Sequence, residues 1–367
     1  MKLLKQTTYI LFSITLLMGC ESKNQSTTVI QTGNDAQIST VRINEFVHWY
    51  PAIEQAKMRD EWLKKHSPGQ WQFTGKVNSD DRTVVTPQAD VNYGYTWFNI
   101  SNEPLVISMP KYDKYYSLSV FDMNHFMEVY VKPEKPVVIR LPHQKSPLID
   151  ANEIVLKTYQ GVALTRQVIV NNEEEVMELA KEIKLSGGGG QYPFVIPEFT
   201  EEEVKAGLKE IKAYMPRIKD GSKLFGSTYE GIGDLDRASG VMIGQLGTQA
   251  RYANYRLYNK DANNKAIEGT AEYEITVPKE GMIKNKDGYW SLTVYNSEDK
   301  YLIPNSKGIY HVSSYDAKTN QDGTVTIRIN PNGAGDNAIP TASKDWYCVL
   351  RAYEPIENIQ FPELKRL

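Results

Sequence analysis

The chain is 367 residues long, 41% hydrophobic and 24% charged, with a formal net charge of −3. These are ordinary values for a globular protein, and the length favours two domains over one. A weakly acidic chain excludes a polycationic surface for nucleic acid or anionic lipid, and a complement of two cysteines excludes a disulfide-stapled scaffold.

Lys2 and Lys5 open the chain, an uncharged and mostly apolar run follows from Thr7, and the stretch closes on Leu17-Met18-Gly19-Cys20. A basic start, an apolar stretch and a small residue before the cut describe a secretory leader over residues 1–19. The run is shorter than the ~20 residues that cross a bilayer, which weighs against a transmembrane anchor. The Leu-x-Gly-Cys ending resembles the lipobox of bacterial lipoproteins. That resemblance implies lipid on Cys20 and a place in the cell envelope, at the inner or outer membrane, with the lipid as the membrane contact. More than one acyl chain makes such attachment stable. Residues 20–40, rich in Ser, Thr, Asn and Gln, bury too little apolar surface to order themselves and suit a flexible tether.

Residues 41–172 read as a helix followed by a β domain. Ile43, Phe46, Val47 and Tyr50 share one helical face from Val41 to His66, with Pro51 expected to kink the helix or start a second one. Short β-branched or aromatic runs then recur at Tyr95–Ile100, Leu105–Met109, Tyr115–Phe121, Phe126–Val131, Val137–Leu141 and Gly161–Val170, as in an all-β sandwich or barrel. Residues 173–250 read as a helical connecting segment. Glu173–Leu185 starts acidic and ends basic, and glycines 187 to 190 stop it. Thr200 and Glu203 form a capping box for a helix to about Tyr214, and Asp234–Leu246 is a third, less periodic helix. Residues 251–367 return to strands. Asp287-Gly288 and Asp322-Gly323 are hairpin-type turns. Trp290, Leu292 and Val294 alternate inward, as do Val325, Ile327 and Ile329.

The C-terminal run Gly288-Tyr-Trp-Ser-Leu-Thr, the pair Asp322-Gly323, Asn337-Ala-Ile-Pro340 and Trp346 through Arg351-Ala-Tyr-Glu-Pro355 resembles the second of two paired bacterial domains of unknown function, family 1214. Asn92, Pro110, Tyr115-Tyr116, Asp122-Met-Asn-His125 and Leu164-Thr-Arg166 are similar to its companion, family 1254. The resemblance spans about Val41 to Phe361. It implies two jelly-roll-like antiparallel β-sandwich domains, with Asn92, Pro110, Trp290, Asn337, Pro340 and Trp346 as structural positions, and it implies no settled activity. At Gly94 the family pattern carries an acidic residue that this chain lacks, so no role of that carboxylate carries over.

The chemistry-bearing residues are sparse. The five histidines, His48, His66, His125, His143 and His311, follow no metal-ligand spacing, and no Gly-x-Ser-x-Gly elbow occurs. Ser297 and Lys300 match Ser-x-x-Lys as text only, and the glycines at 231, 233, 333 and 335 lack the strand-to-helix setting of a phosphate loop. Cys348, within a strand-like run, reads as a buried inert thiol. Arg166 shares a strand face with Val162, Leu164, Val168 and Val170, and Arg351 lies likewise among Tyr347, Val349 and Tyr353. A charge so placed is semi-buried and needs a partner. A structural ion pair is the plainer reading, and a clamp for an anion or carboxylate, which the planar fork of Arg suits, is the functional one. Asp122 and His125 form a candidate acid/base pair on the following turn, against a plain turn role. The 23 tyrosines and 6 tryptophans raise a carbohydrate-stacking reading, to be set against the ordinary enrichment of aromatics in strands.

With no recognisable catalytic constellation, the expectation is a membrane-anchored envelope protein that binds a ligand, a glycan or a protein partner, without metal, cofactor or nucleic acid. An enzyme of undescribed type, with Arg166, Arg351, Asp122 and His125 in a pocket between the two β domains, is the alternative. A structural assembly subunit is the third.

Overall fold

The computed structural model describes residues 39–82, 85–218, 221–227 and 230–367; the leader, Cys20 and most of the tether lie outside them. The first element is α1 (Thr40–Leu63), where the Ser39 side chain accepts from the Arg42 amide and starts the helix. Pro51 sits inside it without dividing it, so a single helix of 24 residues stands where a kink or a second helix was expected. The hydrogen bond that Pro cannot donate is offset by packing, since Phe46, Val47 and Tyr50 before it and Ala52 and Ala56 after it are buried.

Nine strands follow: β1 (Gln72–Phe73), β2 (Val91–Asn99), β3 (Leu105–Ser108), β4 (Tyr116–Asp122), β5 (Met127–Val131), β6 (Val137–Arg140), β7 (Asn152–Val155), β8 (Gln160–Val168) and β9 (Lys184–Gly187), with α2 (Glu173–Lys181) between the last two. They form a five-stranded sheet in the order β1-β2-β8-β4-β5 and a four-stranded sheet in the order β7-β6-β3-β9. Phe98, Leu118, Val120 and Ala163 of the first sheet pack on Ile107, Val137, Ile139 and Ile154 of the second. The first β region therefore runs past residue 172. The segment after α2 returns as a strand because Leu185 and its neighbours pair antiparallel with β3.

Helices α3 (Glu201–Tyr214) and α4 (Asp234–Ile243) come next, α3 with the expected Thr200–Glu203 capping box. Ile211, Ala238, Val241 and Met242 pack on the buried face of α1, giving a three-helix layer. A Cβ at Gly207 of α3 would run into the Phe46 ring, so glycine sets how closely α1 and α3 approach.

The second β region holds β10 (Ala253–Tyr258), β11 (Tyr273–Val277), β12 (Tyr289–Asn296), β13 (His311–Ser313), β14 (Val325–Asn330), β15 (Ala338–Pro340), β16 (Trp346–Tyr353) and β17 (Lys365–Arg366). One sheet is ordered β10-β16-β12-β13 and the other β15-β14-β11-β17. Trp290, Leu292, Val294, Trp346 and Leu350 of the first meet Ile275, Ile327 and Ile329 of the second; each such buried side chain contributes on the order of 2 kcal/mol. Cys348 is buried in this core, and burial pushes its thiol pKa up, as suits an inert thiol.

The fold is thus mainly β, with four sheets in two β regions and four helices among the described residues. Most pairs are antiparallel, but β6–β7 and β14–β15 are parallel. Turns form at Asp287-Gly288 and Asp322-Gly323, closed by Gly288 N–H to Asn285 and Gly323 N–H to Asn320. Neither joins two paired strands, because β12 pairs with β16 and β13, and β14 with β11 and β15. Among the described residues no helix is long and apolar enough to cross a membrane.

Gly94 has a structural reason. It pairs with Phe73 of β1, and a Cβ there would strike the Phe73 ring and the Thr165 hydroxyl. Gly94→Ala should cost about 1–3 kcal/mol by overpacking, and Gly94→Asp more, since it also buries a carboxylate. Urea midpoints measure both. Adding Phe73→Ala should recover part of the loss, because residues in contact couple; a fully additive double variant would show that Phe73 is not what excludes a side chain.

Candidate functional site

Sheet register brings together residues that are distant in sequence. On the central strand β8, Arg166 pairs with Tyr93 of β2 on one side and Ser117 of β4 on the other. On the central strand β16, Arg351 pairs with Tyr255 of β10 and Ser291 of β12. Each β region thus carries a Tyr–Arg–Ser row across three strands. Side chains directly opposite in neighbouring strands share a face, so each row presents a polar line, with Ser119 beside the first and Thr293 beside the second.

The two rows meet at the joint between the β regions. Val91, Tyr115 and Val168 from the first pack against Ala253, Tyr289 and Tyr353 from the second. Tyr289 and Tyr353 stack with centroids 4.9 Å apart, and Tyr115 lies 5.1 and 5.0 Å from them. Gln88 closes this cluster, accepting from the Tyr353 hydroxyl at 2.6 Å and donating to that of Tyr289.

Both guanidiniums are almost out of water, Arg166 at 7% and Arg351 at 6% exposure. Among the described residues neither makes an ion pair with a carboxylate, which sets aside the structural ion-pair reading. Arg166 donates from Nη1 to Ser119 Oγ (3.1 Å) and from Nη2 to the Leu246 carbonyl (3.4 Å). Arg351 donates from Nη2 to the Thr86 carbonyl (3.2 Å), while its Nη1 is buried without a partner, as are the hydroxyls of Ser291 and Thr293 beside it. Both carbonyls belong to residues held in the left-handed region, Leu246 at φ 59° and Thr86 at φ 55°, a conformation that costs on the order of 1–3 kcal/mol.

The joint is rich in neutral donors. Burial raises the pKa of the Tyr93 phenol, and those of Tyr289 and Tyr353 well above the usual value. Burial works against the charge on each arginine, but a guanidinium's ordinary pKa lies so far above neutral that both stay cationic. Two cations among neutral hydroxyl groups have the chemistry that suits negative charge. Tyr255, 42% exposed, stands at their rim. Asp90 is nearby, with both carboxylate oxygens buried and unpartnered. Burial opposes charge on His311, and Asp90 and Asp316 outweigh it, raising its pKa.

Asp122 and His125 occupy the β4–β5 turn, with His125 at φ 65°. Asp122 Oδ1 accepts from the Phe126 amide (2.9 Å) and its carbonyl from Gln55 Nε2 (3.3 Å). Arg237 of α4 braces the turn through the Asn124 carbonyl (2.7 Å) and pairs with Asp234 (2.6 Å). His125 Nε2 accepts from the Leu246 amide (2.9 Å), which assigns the ring proton to Nδ1. Leu246 therefore links two of the expected residues, its N–H on His125 and its carbonyl on Arg166. His125 is a positioning residue for Arg166, and Asp122 shapes the turn that carries it.

The remaining expected positions are structural. Asn92 ties Gly75 to Gln167, and Asn337 clips Lys318 to Thr326. Pro110 is half-buried just after β3. Trp290 is buried in the second core. Pro340 ends β15 opposite Asn330, and Trp346 packs edge-on against Tyr273. Lys300 Nζ reaches the Ser297 carbonyl rather than its hydroxyl, so the two make no Ser–Lys dyad. Among the described residues no three His, Cys, Asp or Glu side chains gather as around a metal ion. Two surface hollows of about 480 and 340 Å³ lie elsewhere, over Lys205 to Ala213 on α3 and beside Arg256, Asp261 and Phe361. None of Arg166, Arg351, Asp122 and His125 lines either one.

Sequence reasoning missed Tyr93, Ser117, Tyr255, Ser291 and Asp90. Strand parity located both arginines, but their row partners appear only once the register is known.

The turn makes a pH prediction. Burial raises the Asp122 pKa to about 7 and lowers that of His125 to about 3. Between ~4 and ~6.5 the folded protein keeps an Asp122 proton that the unfolded chain releases, so that contribution to stability falls as pH rises. Over the same window the unfolded chain binds a His125 proton that the folded protein refuses, so that contribution rises with pH. The two slopes oppose each other. Asp122→Asn removes the first, so its urea midpoint relative to wild type should move in the variant's favour from pH 4 to pH 8. A constant difference would show that Asp122 titrates normally.

Comparison with known proteins agrees with this architecture. Residues 70–187 match the family model described as a protein of unknown function, DUF1254, and residues 252–357 match the one described as a protein of unknown function, DUF1214. Among solved structures, the VPA0106 protein from Vibrio parahaemolyticus is similar at a TM-score of 0.73 and 16% identity, over 89% of this chain and 99% of that one. A putative uncharacterized protein from Burkholderia cenocepacia is similar at 0.50 and 12% identity, over 91% of each chain. At these identities the likeness concerns the fold alone. No curated protein matches the sequence. The chain carries a DUF1254 region followed by a DUF1214 region, one in each of its two β regions.

Proposed function

We propose that the chain is an exported binding protein, anchored through lipid on Cys20, that holds a small anion, above all a carboxylate, between its two β regions. The observation that carries this reading is the pair of nearly buried guanidiniums, one from each region, with no carboxylate partner among the described residues. Leaving a buried charge uncompensated costs several kcal/mol. A bound anion supplies the missing charge, and a carboxylate fits the guanidinium fork. The neutral phenol of Tyr93 and the unpartnered hydroxyls of Ser291 and Thr293 suit acceptor oxygens.

Catalysis by Arg166, Arg351, Asp122 and His125 acting together has less support. His125 Nε2 is taken up by the Leu246 amide, and Asp122 is engaged within its own turn.

Calorimetry and thermal melting of the detergent-extracted full chain test the binding reading. Small mono- and dicarboxylates should raise Tm, a stabilisation of about 2.7 kcal/mol at one hundred times Kd. Arg351→Met and Arg166→Met should each weaken binding by at least about tenfold, as loss of a charge-assisted pair does. If no carboxylate shifts Tm beyond chloride at equal ionic strength, the reading fails. The anchor has its own test: Cys20→Ser should move the chain from the membrane fraction to the soluble one, and unchanged membrane partition would count against lipidation.

A further inference from the structure

A line of aromatic rings leads from the surface to the arginines. His66 lies 5.4 Å from Trp62 at the end of α1, and Trp62 lies 4.7 Å from Tyr95 of β2. Tyr95 stands 6.0 Å from Tyr93 with planes 24° apart, and the Arg166 guanidinium is 5.9 Å from the Tyr93 ring centre. All four rings are half-buried rather than buried. Trp62, Tyr93 and Tyr95 border the first region's core but stay more open than Tyr115, Tyr289 and Tyr353 at the joint, which are fully buried. Beyond the arginines, Tyr255 and Leu257 of β10 stay 42% and 45% exposed. The arginine pair therefore sits partway along a part-open aromatic surface.

The chemistry that fits is a chain of flat, amphipathic units with an acid on one of them. An added peptide strand suits this surface poorly, because the β2 edge beside Tyr93 and Tyr95 is already taken by β1 and by the Thr74 amide on the Tyr93 carbonyl. A lone aromatic acid would use one ring of the track. Sugar rings stack their C–H faces on aromatic side chains, and neighbouring units repeat at about the spacing of neighbouring rings.

Resting on the anion-binding reading above, we propose that the ligand is a uronate-bearing oligosaccharide, its carboxylate at Arg166 and Arg351 and its following sugar units over Tyr93, Tyr95 and Trp62.

Titration calorimetry on the detergent-extracted full chain tests this with galacturonate, mannuronate and glucuronate as monomers and as oligomers of two to four units, beside neutral galactose oligomers. For at least one uronate series, affinity should rise about tenfold from monomer to trimer, the scale of one or two added ring contacts. Trp62→Leu should remove most of that gain and leave monomer affinity unchanged, Trp62→Phe should restore part of it, and Arg351→Met should weaken monomer and trimer alike. Thermal melts check that each variant is folded. Equal affinity for monomer and trimer in every series, or a Trp62→Leu variant that stays folded and binds the trimer as wild type does, overturns the oligosaccharide while leaving the anion site standing. Neutral oligomers binding as tightly as acidic ones overturn the uronate assignment. Failure of every uronate while small carboxylates still bind overturns this proposal alone, and failure of both removes the anion site as well.

Discussion

The joint between the β regions is organised by two positive charges that, among the described residues, make no ion pair with a carboxylate. Arg166 and Arg351 each lie in the C-terminal half of a strand that is paired on both sides and buried along its length. A guanidinium there cannot turn to solvent, so its donors must find acceptors inside the protein. Ser119 of the neighbouring strand supplies one, and the others come from elsewhere in the chain: the Leu246 carbonyl from the segment that links the regions, and the Thr86 carbonyl from the loop before β2. The second region's arginine is held by a first-region loop, and the first region's arginine by the linking segment. Each charge thus fastens a part of the chain that lies beyond its own sheet.

Much of this was legible in the sequence. Alternation along 160–168 and 346–353 placed Arg166 and Arg351 on inward faces, and the inward set Trp290, Leu292 and Val294 lies in the core. The capping box at Thr200 and Glu203 is formed. These signals succeed because side-chain parity and helix capping are local properties. Register is not local. Tyr255 meets Arg351 across ninety-odd residues of chain, and nothing in one sequence announces that pairing. The same limit explains the Asp-Gly turns, which form as expected yet lead to strands whose partners lie elsewhere. Pro51 shows a different limit. Its local cost is real, but the packing of Phe46, Val47 and Tyr50 on α3 and α4 outweighs it.

The buried strands also show why polar positions needed the structure to interpret them. Every residue of β8 and of β16 is buried, so neither strand has a solvent face to separate apolar from polar. One face of each meets its own partner sheet, while the other meets the helical layer or the opposite β region. A Ser, Arg or Tyr on that second face is largely enclosed by protein, and finds a partner there only if another element or a ligand supplies it. Thr86 and Leu246 do so at the cost of left-handed backbone. Ser291, Thr293 and Arg351 Nη1 are left without one.

Where the open track lies follows from how three bodies share one sheet face. The face of the first sheet that carries Trp97, Tyr95 and Tyr93 is longer than either cover. Around Trp97, Phe121 and Val162 the cover is α1, through Ala56, and the linking segment, through Phe225 and Leu246. Around Val91 and Val168 it is the second β region, through Ala253, Tyr289 and Tyr353. Tyr95 packs at the edge of the first cover and Tyr93 against both, each left half-buried, and Arg166 belongs to the same stretch of the face. A seam between covers is the part of a buried face that stays half open. It is also where a charge can be almost dehydrated and still be approached from outside, a combination that neither a closed core nor a free surface offers.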